Sequence, residues 1–487
     1  MSTTGESPGP ELRERELREP ELREPELRQP ERRERELRQP ELPGTEPREP
    51  EPADSEPADP EEKRVTWAEL YFDLVFVFAI TQVSGLLHHH HDAVGLVRAL
   101  VVFVPVYWCW VGTTVQANIR DVDNLRDRLG ILLVGLTGLF MALAIPGAYG
   151  GRGVLLGAAY WLARLVLLLL LARVPGVWRG PYGVGVLVSG PLLVTGGLLP
   201  DGPRLALWTA AALCDLAAPL VFRRRLAKVA YHPAHMPERF ALFLLVALGE
   251  SIVGIGGTAA SARLDAAELA AVAVAFTISA GLWWQYFVYA ADAMRHAVVI
   301  ADSRRDVVRR IFQYGHLALV AGVIGVAVGF GETVADPWQA LGPGSVTLLY
   351  GGCGLYLLTF GYTRWMMFRQ VATTRIGAAV VVLALLPAMV RLPALVVLAT
   401  LAVLMVVLNV LEHFRVERSA RSAVGNPAAA GEGAPAAGPA EADARVPGPG
   451  PGPGPGPVPV PAAAPDPASV PVPASTPVPG PAPAPAE

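Results

Sequence analysis

Glu69 and Asp73 stand four residues apart in the segment Trp67-Ala-Glu69-Leu-Tyr-Phe-Asp73. On a helix that spacing puts both carboxylates on one face, and Ser84 continues it. Such a pair could admit a cation or a proton at a helix end, or it could anchor to arginines of neighbouring loops. The residue types leave both open. Arg164, Asp215 and Glu250 each interrupt a long apolar run, about eleven residues from its start. At about 1.5 Å of rise per residue they share a depth near the middle of their helices. One arginine and two carboxylates at one depth could form a buried charge cluster, or a pair that only orients helices. Glu238 and Arg239 open the run that holds Glu250, and Ser251 follows it. His316, two residues after Tyr314, could relay protons or be a satisfied structural histidine.

Other residues point away from chemistry. His88 to His91 form a run of four histidines. Runs of this kind can hold Zn²⁺ or Ni²⁺, but adjacent residues on a flexible loop make a poor defined site. No metal and no cofactor is therefore expected. Cys109, Cys214 and Cys353 each lie in an apolar run, where a thiol serves as a small packing residue. Gly249, Gly254, Gly256 and Gly257 are expected to let helices pack closely. Gly-rich phosphate loops, His-Glu-x-x-His, Cys-x-x-Cys and nucleophile elbows are absent, so nothing names an enzyme and none is expected.

The elements that must position these residues follow from composition. The chain has 487 residues, 52% apolar and only 17% charged, where a soluble domain carries about 25% charged. No basic domain exists to neutralise a nucleic-acid backbone, which excludes nucleic acid as a partner. Residues 1–62 repeat a pentad related to Glu-Leu-Arg-Glu-Pro, and 425–487 are Pro, Ala and Gly. Proline at such density prevents a continuous helix and neither stretch has an apolar face, so both are expected to be disordered tails. The membrane domain is expected over 63–424.

A bilayer core takes about 20 residues of helix to cross. Apolar runs of about that length fall at 66–87, 94–116, 129–149, 153–172, 182–200, 204–222, 239–259, 266–290, 311–331, 345–367, 376–391 and 393–413. Only Arg391, Leu392 and Pro393 separate the last two, which makes that boundary the least marked. The fold class is thus all-α, a polytopic transmembrane bundle of about twelve helices. Loop charge gives a second reading. With the N-terminus inside, the inner segments hold 23 Lys and Arg, among them Lys63, Arg64, Arg223, Lys228, Arg304 and Arg305, and the outer ones only Arg98, Arg152, Arg204, Arg263 and Arg391. Basic residues gather on the cytoplasmic side, so both termini are expected there. Lys63 and Lys228 are the only lysines among 40 basic residues, a preference for Arg that suggests a bacterial genome and so a bacterial plasma membrane. The starts of the first and seventh runs (Trp67-x-Glu69, Met236-x-Glu238) and the tryptophan pairs of the second and eighth admit two parallel six-helix halves, as in several secondary transporters.

Several of these blocks resemble one family. Trp67-x-Glu69-Leu70-Tyr71-Phe72-Asp73-Leu74-Val75-Phe76-Val77 resembles the opening motif of the low temperature requirement A family. Glu238-Arg239-Phe240, then Leu248-Gly249-Glu250-Ser251, resembles its second block, with Ala241 where glycine is expected. Gly281-x-Trp283-Trp284-x-Tyr286-Phe287 and Tyr314-x-His316, followed by Gly322, are similar to two more. The resemblance covers about 63–415 and excludes both tails. It implies a bacterial multi-pass protein named for growth at low temperature, and it draws attention to the charged residues in the matched blocks. It identifies no substrate.

The leading expectation is a secondary transporter or permease with a midplane polar site, whose partners are the lipid bilayer and a small solute or proton. A membrane structural or stress-adaptation protein is one alternative. An enzyme acting on lipid-linked substrate is another, for which only Glu69, Asp73 and the inner arginine loops would qualify. Oligomeric state is not legible.

Overall fold

The structure is a computed structural model that describes residues 65–120, 122, 124–226, 232, 235–261, 264–300 and 309–425. The expected tails lie outside the described residues, apart from Gly425, which ends the last helix. Lys63, Arg64, Lys228, Arg263, Arg304 and Arg305 lie outside them too.

Among the described residues the regular elements are helical, with one isolated bridge between Ala340 and Pro393. They run α1 (Trp67–His89), α2 (Ala93–Ile119), α3 (Leu125–Ala144), α4 (Gly153–Leu170), α5 (Pro181–Val184), α6 (Gly190–Gly197), α7 (Asp201–Val221) and α8 (Arg223–Leu226). There follow α9 (His235–Ser261), α10 (Ala266–Phe287), α11 (Ala291–Ile300), α12 (His316–Ala335), α13 (Pro343–Phe368), α14 (Thr373–Met389) and α15 (Ala394–Gly425). π-helical segments at Gly185–Ser189 and Arg310–Gly315 lead into α6 and α12.

All twelve apolar runs are helical, but among the described residues ten helices are long and apolar enough to cross a membrane. The fifth run departs from expectation because a π segment separates α5 from α6. The cause is local: the Arg164 guanidinium lies against the backbone at Gly185, where a Cβ would stand 2.2 Å from Nε. Inserted side chains and π-bulges are ordinary causes of such breaks. The eleventh run, α14, has 17 residues and stops at Met389. The ill-marked boundary is sharp in space. Ala394 N–H donates to Gln339 O and Leu395 N–H to Pro337 O, each at 2.9 Å, so the loop between α12 and α13 satisfies amides that a helix start leaves open. The twelfth run continues past residue 413, since α15 reaches Gly425.

The helices pack in two sets. In the first, α1 packs on α2 and α3, α3 on α4, α4 on α6, α6 on α7, and α7 back on α2. In the second, α9 packs on α10 and α12, α12 on α13, α13 on α14, α14 on α15, and α15 back on α10. The sets meet where α1 touches α9 and α12 and where α2 touches α9. α2 is buried on every side from Val101 to Asn118, as a helix apolar all round must be. Leu129, Leu132, Leu133, Leu136 and Phe140 leave α3 with an exposed apolar face, which suits contact with lipid rather than water.

Close helix crossings use other glycines than those expected. A Cβ on Gly352 of α13 would stand 2.6 Å from Gly322 O of α12, and one on Gly157 of α4 would stand 2.6 Å from Leu193 O of α6. At Gly249, Gly254, Gly256 and Gly257 a Cβ would meet nothing within 4 Å. Gly249, Gly256 and Gly257 are exposed and Gly254 is partly so.

Candidate functional site

The start of α1 places its acids. Thr66 caps the helix, and Thr66 N–H and Oγ1–H both donate to Glu69 Oε2 at 2.9 Å, which completes a capping box. One turn on, Asp73 lies on the same face. α9 presents the matching pair, His235 and Arg239, also four residues apart, so the two helices meet in rungs. His235 Nε2 is 3.1 Å from Glu69 Oε1. Arg239 donates through Nη1 to Asp73 Oδ2 at 2.6 Å and through Nη2 to Asp73 Oδ1 at 2.8 Å, a bidentate pair. Arg239 Nε stands 3.6 Å from Glu69 Oε1, which links the rungs. From α2, Trp110 Nε1–H donates to Asp73 Oδ1 at 2.8 Å while its ring stacks on Phe243 and lies under the guanidinium. Glu69, His235 and Arg239 are fully buried and Asp73 nearly so.

Asn118 decides the histidine tautomer. Its side chain spans His232, accepting from the N–H and donating to the C=O, each at 3.0 Å, which fixes the amide's orientation. The remaining Nδ2 hydrogen points at His235 Nδ1, 3.4 Å away. Nδ1 must then accept, so the network assigns the ring proton to Nε2, facing Glu69. With that ring neutral, the described residues of the cluster set two carboxylates against one guanidinium, so its charge balance depends on where protons sit.

The midplane residues do not form one cluster. Asp215 accepts from Tyr160 Oη at 2.5 Å and from Ser189 Oγ at 2.8 Å, with Arg164 in electrostatic reach. Arg164 itself donates to Trp108 O at 3.3 Å and Pro181 O at 3.0 Å, between the rings of Tyr160 and Tyr182. Arg164 and Asp215 therefore sit together inside the first helix set. Glu250 is elsewhere, in α9 against α1, where Thr81 Oγ1–H donates to it. Depth alone did not imply contact, because α9 turns this face to α1 and not to α4 or α7. Ser251 is within hydrogen-bond distance of Ser279 in α10, at 2.9 Å. His316 is fully buried, its Nε2 2.8 Å from Tyr286 Oη and its ring stacked on Phe312. Glu238 is half-buried on the first turn of α9.

Among the contributors that escaped the sequence reading in these contacts are His235, Thr81, Asn118, Tyr160 and Ser189. Of these, His235 carried a signal, its four-residue spacing from Arg239 mirroring that of Glu69 and Asp73. Glu412 was missed as well. It takes a bidentate pair from Arg375, with Arg375 Nη2 2.9 Å from Oε2, so an arginine read as a loop charge is buried.

The family described as bacterial low temperature requirement A protein (LtrA) matches residues 64–410. An uncharacterized protein of Rhizobium meliloti (strain 1021) is 29% identical over 325 residues, spanning 63% of this chain and 78% of its own length. No solved structure matches.

Proposed function

The chain belongs to the bacterial low temperature requirement A family, and from that premise we propose that it is a proton-coupled secondary transporter or permease of the plasma membrane. The observation that carries this is the cluster of Glu69, Asp73, His235 and Arg239, buried where the two helix sets meet, with two carboxylates facing one guanidinium and one histidine among the described residues. An ionisable residue within a span costs about 2.5–3.5 kcal/mol on insertion scales, so a set of them needs a reason. Binding and release of a proton or a cation is such a reason. Glu250, farther along the same α1–α9 contact, is a second acid that a proton can visit, and the open space at Gly249 and Gly254 leaves room beside it.

The packing order supports two parallel six-helix halves. The chain of contacts α1–α2, α1–α3, α3–α4, α4–α6, α6–α7 and α7–α2 is matched in order by α9–α10, α9–α12, α12–α13, α13–α14, α14–α15 and α15–α10. On this reading the fifth and eleventh runs complete twelve spans, 17 residues of α14 reaching about 25 Å at about 1.5 Å each. Both termini then face the cytoplasm. Residues 63–424 form the membrane domain, flanked by tails, and the polypeptide itself performs no covalent chemistry.

The test is proton movement into proteoliposomes that trap a pH-sensitive dye, under an imposed potential and with candidate solutes outside. Wild type should acidify or alkalise the lumen with one solute class, and Glu250→Gln should not. Absence of any proton movement from correctly inserted protein would reject the proposal. A structural protein is the rival reading, because the capping box at Glu69 and the bidentate Asp73–Arg239 pair also tie helices together. It expects these substitutions to change stability alone, and complementation of growth at low temperature beside thermal melting separates the two.

A further inference from the structure

The histidine run is not a loose loop. His90 N–H donates to Leu87 O at 3.2 Å, and Asp92 caps α2 through Gly95 N–H at 2.7 Å. Two glycines hold the run from either side: a Cβ on Gly95 would stand 2.1 Å from His90 O, and one on Gly344 would stand 2.1 Å from His91 O. Backbone packed this closely fixes where the side chains leave it. His88 and the partly buried His91 turn to Glu332, near the end of α12; His88, like His89 and His90, is itself exposed. His91 Nε2 lies 2.9 Å from Glu332 Oε1, and His88 Nδ1 lies 4.0 Å from the same oxygen. The three ligand atoms fall within 4.8 Å of one another.

We propose that His88, His91 and Glu332 form a binding site for a transition-metal dication of the zinc class. Bonds of about 2.1 Å to a tetrahedral ion put neighbouring ligand atoms about 3.4 Å apart. The two distances from Glu332 Oε1 bracket that spacing, so small side-chain rotations close the site. Two imidazoles and one carboxylate select zinc-like ions over Mg²⁺ or Ca²⁺, which prefer all-oxygen shells. Ser345 Oγ lies 3.2 Å from His91 Nδ1, so it can hold that nitrogen and leave Nε2 for the ion, the outer-shell support that metal-bound histidines need. Three protein ligands leave a fourth position for water or a ligand from solution. The bound ion would tie the α1–α2 loop to α12, and so one helix set to the other, at the end of α1 remote from Asp73. The proposal does not depend on transport.

The test uses the full chain purified through a tag without histidine, stripped with a chelator that is then dialysed away, and titrated with zinc chloride. One zinc per chain is expected. His88→Ala, His91→Ala and Glu332→Gln should each weaken binding by about 100-fold or more, and Ser345→Ala by about 10–100-fold. His89→Ala and His90→Ala should leave it unchanged. Zinc should also raise the melting temperature of wild type and not of Glu332→Gln, an isosteric variant that keeps the result readable where an alanine variant misfolds. Losses at His89 or His90 equal to those at His91 would mean chelation by the run alone and overturn the site. Wild-type affinity in Glu332→Gln, or no bound zinc in wild type, would overturn it too.

Discussion

Asp73 and Arg239 make the sharpest case at the scale of single residues. Breaking a buried pair from one side strands the other charge, at about 3–5 kcal/mol. Arg239→Ala leaves Asp73 with Trp110 as its remaining donor and Glu69 with Thr66 and His235, and no guanidinium faces either carboxylate, so detergent melting should show a loss of that size. Arg239→Lys should lose part of it, because a lysine cannot hold both oxygens of Asp73 at once. Glu250 should behave differently. Its partner is the Thr81 hydroxyl and not an arginine, so Glu250→Gln keeps an acceptor in place and strands no charge. Melting should change by less than about 1 kcal/mol, the worth of an ordinary hydrogen bond, while proton movement in proteoliposomes is lost. A large drop in melting temperature would make Glu250 a structural residue.

Helix crossings decide the matter at the scale of elements. Gly352 faces the backbone of α12, and neither backbone can give way to a methyl group. Gly352→Ala should therefore lower stability by about 1–3 kcal/mol, the usual cost of overpacking. Gly256→Ala, which adds its methyl group to open space, should leave melting unchanged. Equal effects at the two positions would contradict the packing described for α12 and α13. The spacing of polar residues along one helix was legible in the sequence, as Glu69 and Asp73 show. Which helix they face was not, because hydrophobic period reports a face and not a neighbour. That is why Glu250 was grouped with Arg164 and Asp215 by depth, yet lies against Thr81.

For the whole molecule, the charge asymmetry of the loops and the even number of spans predict one side for both termini. Reporter fusions near His90 and after Arg421 should therefore report opposite sides of the membrane. Fusions reporting the same side would remove a span from the count. Deleting 1–60 and 430–487 should leave insertion and melting intact, because those segments carry no apolar face to dock.

The amino-acid sequence by itself determined the helical class, the apolar character that suits a membrane and the approximate position of the long apolar helices. Each of these depends on local composition, since a backbone in lipid must satisfy its own hydrogen bonds within one helix. Family membership was legible for the same reason, in contiguous blocks around Glu69 and Glu250. Tertiary structure alone decided the partners: His235 with Glu69, Thr81 with Glu250, Arg375 with Glu412, and Glu332 with a histidine run some 240 residues earlier. Contacts of that kind depend on how helices order and rotate against one another. That order follows from the shapes of many facing side chains, including glycines such as Gly344 that give no sign in sequence of what they admit.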